Sequence, residues 1–162
     1  MISIQDLDKA FQRNLEIIKM QTENISQEDS LIQLPFRINC LNWVVGHVLT
    51  NRCNILNLLG AEDIRPEVNL DHYERESCPI LGDESGVFQL DELLNHLDET
   101  QRRMSAALEN ETLESLQRLT PYRERTEREI GYWLFFLYYH DSYHVGQTEI
   151  LRQAAGTEDK IT

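Results

Sequence analysis

The chain has 162 residues, 41% of them hydrophobic, and a formal net charge of -13. That length suffices for one buried core, and residues 1–162 read as a single domain. The acidic balance argues against a partner that is nucleic acid, whose phosphates need a basic face, and against attraction to an anionic membrane.

At the N-terminus there is no basic-then-apolar leader pattern, and no apolar run approaches the ~20 residues that a membrane span requires. Cys40, Cys53 and Cys78 form no tight pair, and an odd, scattered set favours reduced thiols. These features predict a soluble, cytoplasmic protein.

Four helices follow from the periodicity. In the first, Ile4, Leu7, Phe11, Leu15, Ile18 and Ile25 recur at three- and four-residue steps, with Ser3 as N-cap and the polar Ser-Gln-Glu-Asp-Ser stretch at Ser26 as its end. The second runs from near Asn39 to just before Gly60, a left-handed C-cap, with Leu41, Val44, Val48, Ile55 and Leu59 on its core face. Residues 60–88 then show no sustained period. So long a connection suits a functional loop or a crossover along the bundle, leaving the second and third helices parallel.

The third helix spans about Gln89 to Asn110 on a stripe of Leu90, Leu93, Leu94, Leu97, Met104 and Leu108. Thr126 and Glu129 match a capping box and predict the start of the fourth helix, which Gly156 ends. Its stripe is Trp133, Leu137, His140, His144, Thr148 and Leu151. No strand-like alternation competes, so the expected class is all-α, a four-helix bundle with a long crossover between helices 2 and 3.

His140 and His144 stand one turn apart on the core-facing stripe, where two imidazoles can converge on one ion. Core histidines bonded to a tyrosine or a backbone carbonyl are the plainer alternative. His47, in Asn-Trp-Val-Val-Gly-His-Val-Leu, is the best third ligand, because a helix fixes its position and Gly46 permits close approach of another helix or a ligand. His96 reads as a boundary residue and His72 as a loop residue. Three histidines with an open position describe a catalytic rather than a structural site. Gln147 and Asn51, each one turn beyond a histidine, are candidates for orienting the imidazoles or for capping polar edges of the bundle.

The segments around His47 and from His140 to Gly156 resemble the DinB-like (DinB/YfiT) family of four-helix metal-binding proteins. His140, His144, Gly146, Gln147, Leu151, Arg152 and Gly156 carry the resemblance. It implies a divalent metal ion, nickel or zinc foremost, held by His47, His140 and His144. It also implies a homodimer and a transferase activity that uses a low-molecular-weight thiol on a small-molecule electrophile. Independently of the resemblance, Tyr138, Tyr139 and Tyr143 are proton-donor candidates, with helix packing as their plainer role. Two alternatives stand beside the transferase reading. One is a non-catalytic, dimeric metal-binding stress protein. The other is a metal-dependent hydrolase with Asp141 as the base of a zincin-like His-Asp-x-x-His. The substrate and the catalytic residues are not legible at this level.

Overall fold

The structure is a computed structural model that describes residues 3–61, 68–123 and 125–157. Helix α1 (Ile4–Thr22) begins as expected. The Ser3 hydroxyl accepts from the Asp6 amide at 3.0 Å, and the Asp6 carboxylate accepts from the Ser3 amide at 3.1 Å. Phe11, Leu15 and Ile18 carry its stripe into the core, while Ile25 lies beyond the helix end. The polar stretch after it is a short helix, α2 (Gln27–Ser30), capped by Ser26.

Helix α3 (Leu41–Leu58) ends at Gly60, whose φ of 68° is the left-handed conformation that glycine adopts without a Cβ penalty. This helix is buried on nearly every side, not only along its predicted stripe. The connection after it is the reason. It turns through a 3-10 element at Asp71–Tyr73 and sends Val68, Leu70, Tyr73 and Ile80 into the core that includes α3. The Tyr73 hydroxyl donates to Asn42 Oδ1 at 3.0 Å and accepts from the Phe88 amide at 2.8 Å, which ties both ends of the connection to α3. Residues 62–67 of the predicted loop lie outside the described residues.

Helix α4 (Leu90–Glu109) buries Leu90, Leu93, Leu97, Met104 and Leu108 of the predicted stripe, with Leu94 partly buried, behind a Gln89–Glu92 capping box. The start of the last helix differs from the expectation. Helix α5 (Ile130–Ala154) begins after Glu129, and Thr126 does not cap it. Arg128–Glu129 forms a two-residue strand, β2, antiparallel to β1 (Leu119–Thr120), with Thr120 opposite Arg128. That ladder holds Glu129 extended, and the Trp133 indole locks the junction by donating to the Thr120 carbonyl at 2.9 Å. Gly156, at φ 88°, follows the helix end as predicted.

Cross-helix bonds define the topology. Asn42 donates to the Phe88 carbonyl and Arg52 to Gln101, so α3 and α4 run parallel, as a long crossover requires. Trp43 meets His144 while Arg52 meets Asp141, so α5 is antiparallel to α3. Asn14 bonds Asp141 and Arg152 bonds the Gln21 carbonyl, so α1 runs parallel to α5. The result is an all-α four-helix bundle in which α3 and α5 face each other. Among the described residues, no helix is long and apolar enough to cross a membrane.

Candidate metal centre

Helix α3 supplies His47, and α5 supplies His140 and His144. One ring nitrogen from each lies within 4.8 Å of the other two. Ring centroids are 5.3 Å apart for His47 and His140, 4.9 Å for His47 and His144, and 4.5 Å for His140 and His144. Ligands at ~2.1 Å from one ion stand no more than ~4.2 Å apart, so about an ångström of ring movement would let the triad grip one. His72 and His96 stay outside the cluster; His96 packs edge-on against Phe88.

Two of the rings are oriented from behind. His47 Nδ1 donates to the Tyr73 carbonyl at 2.7 Å, which leaves its Nε2 with a bare lone pair. Trp43 stacks on the same ring, with centroids 4.5 Å apart and planes 13° from parallel. His144 Nδ1 bonds Gln147 Oε1 at 2.7 Å, the orienting position proposed for that glutamine. Asn51 sits differently. Its amide donates to the His47 backbone carbonyl at 2.7 Å and not to an imidazole, so the Tyr73 carbonyl takes the role.

Gly46 explains how a loop residue reaches that position. A Cβ there would lie 2.1 Å from the Tyr73 ring, so only glycine lets the loop press against α3 and aim its carbonyl at His47. The glycine was a signal of close approach; the group approaching it was not readable.

Burial keeps the imidazoles neutral. It pushes His47 and His140 down to about 4, and neighbouring histidines and arginines add to the effect. His144 is lowered too, again by burial, with Gln147 and Asp141 opposing. Neutral imidazoles are the metal-binding form, so no proton need be displaced at neutral pH. His140 Nδ1 is buried without a hydrogen-bond partner among the described residues. Such an atom costs free energy unless something meets it, and a cation bound by three imidazoles would relieve the crowding of unspent lone pairs. The donor set therefore fits a divalent ion.

Asp141, between the two α5 histidines in sequence, does other work. Its Oδ2 accepts from Arg52 Nη2 at 2.9 Å and Asn14 at 3.0 Å, and its Oδ1 accepts from Arg52 Nε at 3.3 Å. Arg52 also reaches Gln101 Oε1 at 2.8 Å and the Phe11 carbonyl at 3.0 Å. This buried cluster joins all four long helices. A carboxylate so engaged is not available as the base of a zincin-like hydrolase, which corrects that alternative.

His47 and His140 open onto a cleft of about 560 Å³, lined also by Asn51, Tyr122, Phe136 and three arginines. Tyr122 is its phenol. Its oxygen accepts from Asn54 at 3.2 Å, and burial raises its pKa, so the hydroxyl stays protonated. The tyrosines proposed from sequence as proton donors do not line this cleft. Tyr139 and Tyr143 are exposed, and Tyr138 packs on Phe11 and lines a separate groove beside α1. They lie on α5 near His140 and His144 in sequence, whereas Tyr122 comes from an irregular loop.

Among solved structures, the chain is similar to a conserved protein from Enterococcus faecalis, with a TM-score of 0.77 at 15% identity over 97% of this chain and 99% of that one. At that identity the likeness concerns the fold. No curated protein matches the sequence. The model of the DinB superfamily matches residues 22–148, a span that holds all three histidines, all of α3 and most of α5, and the chain belongs to that superfamily.

Proposed function

We propose that His47, His140 and His144 bind a divalent metal ion, nickel or zinc, and that the protein transfers a low-molecular-weight thiol onto a small electrophile. The observation that carries this reading is the convergence of three neutral imidazoles, two of which, His47 and His140, line an open cleft. A bound ion would supply Lewis acidity and lower the pKa of a thiol brought to it. The chain does the rest. Tyr73 and Gln147 hold two rings in the ligating tautomer, and Trp43 shields one face of His47 from water. Tyr122 presents a protonated hydroxyl to whatever enters.

The test is turnover. Zinc- or nickel-loaded protein incubated with a panel of cellular thiols and a chromogenic electrophile should form the thioether only when metal and thiol are both present. Absence of metal-dependent turnover across a broad panel would leave the alternative, a non-catalytic metal-binding stress protein.

A homodimer accords with the outer face of α5. Tyr132, Phe135, Tyr139, Tyr143 and Ile150 are each more than half exposed at helical spacing, with the open Gly146 in the same row. A continuous apolar stripe of this kind marks a protein contact. Sedimentation should give a dimer, and Tyr139→Glu should shift it to monomer. A cytoplasmic location suits three cysteines that form no disulfide, one of them exposed.

A further inference from the structure

The cleft beside the histidines carries a charge opposite to the chain that contains it. The protein has a formal net charge of -13, yet Arg75, Arg123 and Arg125 all line this one opening. No acidic side chain lines it among the described residues.

The arginines come from two separate segments. Arg75 follows the 3-10 turn at Asp71–Tyr73, the turn whose carbonyl orients His47. Arg123 and Arg125 lie in the loop between β1 and β2, closed by the Arg125 amide donating to the Tyr122 carbonyl at 3.2 Å. Arg123 itself has φ 55°, an uncommon conformation for a non-glycine residue, and it pairs with Glu74 at 3.3 Å to bridge the two segments.

Structural duties do not exhaust these side chains. Arg125 lies over the Phe136 ring at 4.6 Å, a contact that uses the face of the guanidinium and leaves its N–H edges open. Its side chain makes no hydrogen bond among the described residues. Arg75 has a single ionic neighbour, Glu76 at 3.6 Å, and both side chains are largely exposed. Guanidinium forks with unspent donors are well suited to bidentate recognition of carboxylate or phosphate. An acidic surface elsewhere would repel anions, so this basic opening focuses them beside His47 and His140.

We infer that this cleft is an anion-recognition site, in which Arg75, Arg123 and Arg125 hold the carboxylate or phosphate group of a small substrate beside the three histidines. The inference rests on the proposed metal site only for its chemistry; the anion contact is made by the arginines and needs no ion. Tyr122, its pKa raised by burial, adds a neutral donor to the same wall. The proposed transfer thus acts on substrates in which either the thiol or the electrophile is an oxyanion.

The experiment uses the full-length, metal-free protein at low ionic strength, with calorimetry and the fluorescence of Trp43 as readouts. Succinate and inorganic phosphate are the anionic probes, and succinamide is the uncharged control. Succinate and phosphate should compete for one site, weaken steeply with added salt, and bind at least about tenfold more weakly to Arg123→Gln/Arg125→Gln. Arg75→Gln, on a different segment, should weaken both without touching the hairpin loop. The tighter of the two probes identifies the oxyanion. Unchanged anion binding in both variants, or succinamide binding as well as succinate, would overturn the inference. Zinc titration of the same proteins separates the two ideas. Zinc uptake equal in wild type and variants with lost anion binding supports the cleft alone. A wild type that takes no zinc while anion binding behaves as stated removes the metal reading and leaves the arginine site standing.

Discussion

Two buried polar clusters lie side by side between α3 and α5, and they differ in how completely their hydrogen bonds are spent. Around Arg52 and Asp141, both carboxylate oxygens are bonded and the guanidinium reaches three further elements of the bundle. Around His47, His140 and His144, the outer nitrogens are fixed for two rings, but the inner ones face one another and one buried nitrogen has no partner. A saturated cluster holds helices in register. An unsaturated one is ready for a ligand. The contrast separates scaffold from site without reference to any relative.

The strongest way to break the comparison is at its scaffold half. Arg52→Ala leaves Asp141 buried and uncompensated, which should cost about 3–5 kcal/mol in denaturant unfolding. A loss below about 1 kcal/mol would mean that the cluster is not the clamp described. Next comes the joint between loop and site. Gly46→Ala drives a Cβ into the Tyr73 ring, so overpacking should cost about 1–3 kcal/mol. Because the Tyr73 carbonyl moves with it, zinc affinity should fall as well. Affinity unchanged in a destabilised protein would detach Tyr73 from the site.

Gln147→Leu touches the unsaturated half only. Removing the acceptor behind His144 should lower zinc affinity about 10–100-fold while the unfolding midpoint of the metal-free protein stays in place. The remaining lever is pH. Folding lowers His47 and His140 from 6.5 to about 4, so the unfolded chain binds more protons across that interval. These two residues therefore destabilise the metal-free fold progressively as pH falls from about 6.5 to about 4, and contribute no pH dependence above it. Urea titrations of the wild type and of His47→Gln/His140→Gln should show a shallower acid-side decline in the variant. Parallel curves would contradict the burial argument.

The regular parts of this architecture were legible because periodicity and capping are local. The stripe of α4, the Ser3 start of α1 and the glycines that end α3 and α5 all follow from nearest-neighbour chemistry. At Thr126 a two-residue ladder, a contact across the chain, overrides the local capping signal. Burial all around α3 escaped notice for the same reason, since the residues that cover it come from an aperiodic segment.

The candidate site divides along that line. The three histidines and Gln147 lie on helices, where spacing shows which side chains share a face. Tyr73, Tyr122 and the three arginines enter from loops. The run from Arg118 to Arg128 interleaves arginines with glutamates, and only the fold shows that Arg123 and Arg125 turn to the cleft. Local spacing suggests a zincin-like base at Asp141 and says nothing of Arg52; their pairing is a property of helix order.

The central claim is that three imidazoles from two facing helices share one ion and leave it a position for substrate. X-ray absorption on zinc-loaded protein tests it most directly. The account predicts three imidazole nitrogens at ~2.0–2.1 Å and one further light ligand that an added thiol replaces with sulfur at ~2.3 Å. Fewer than three imidazoles, or a closed shell of four protein ligands indifferent to thiol, would contradict it.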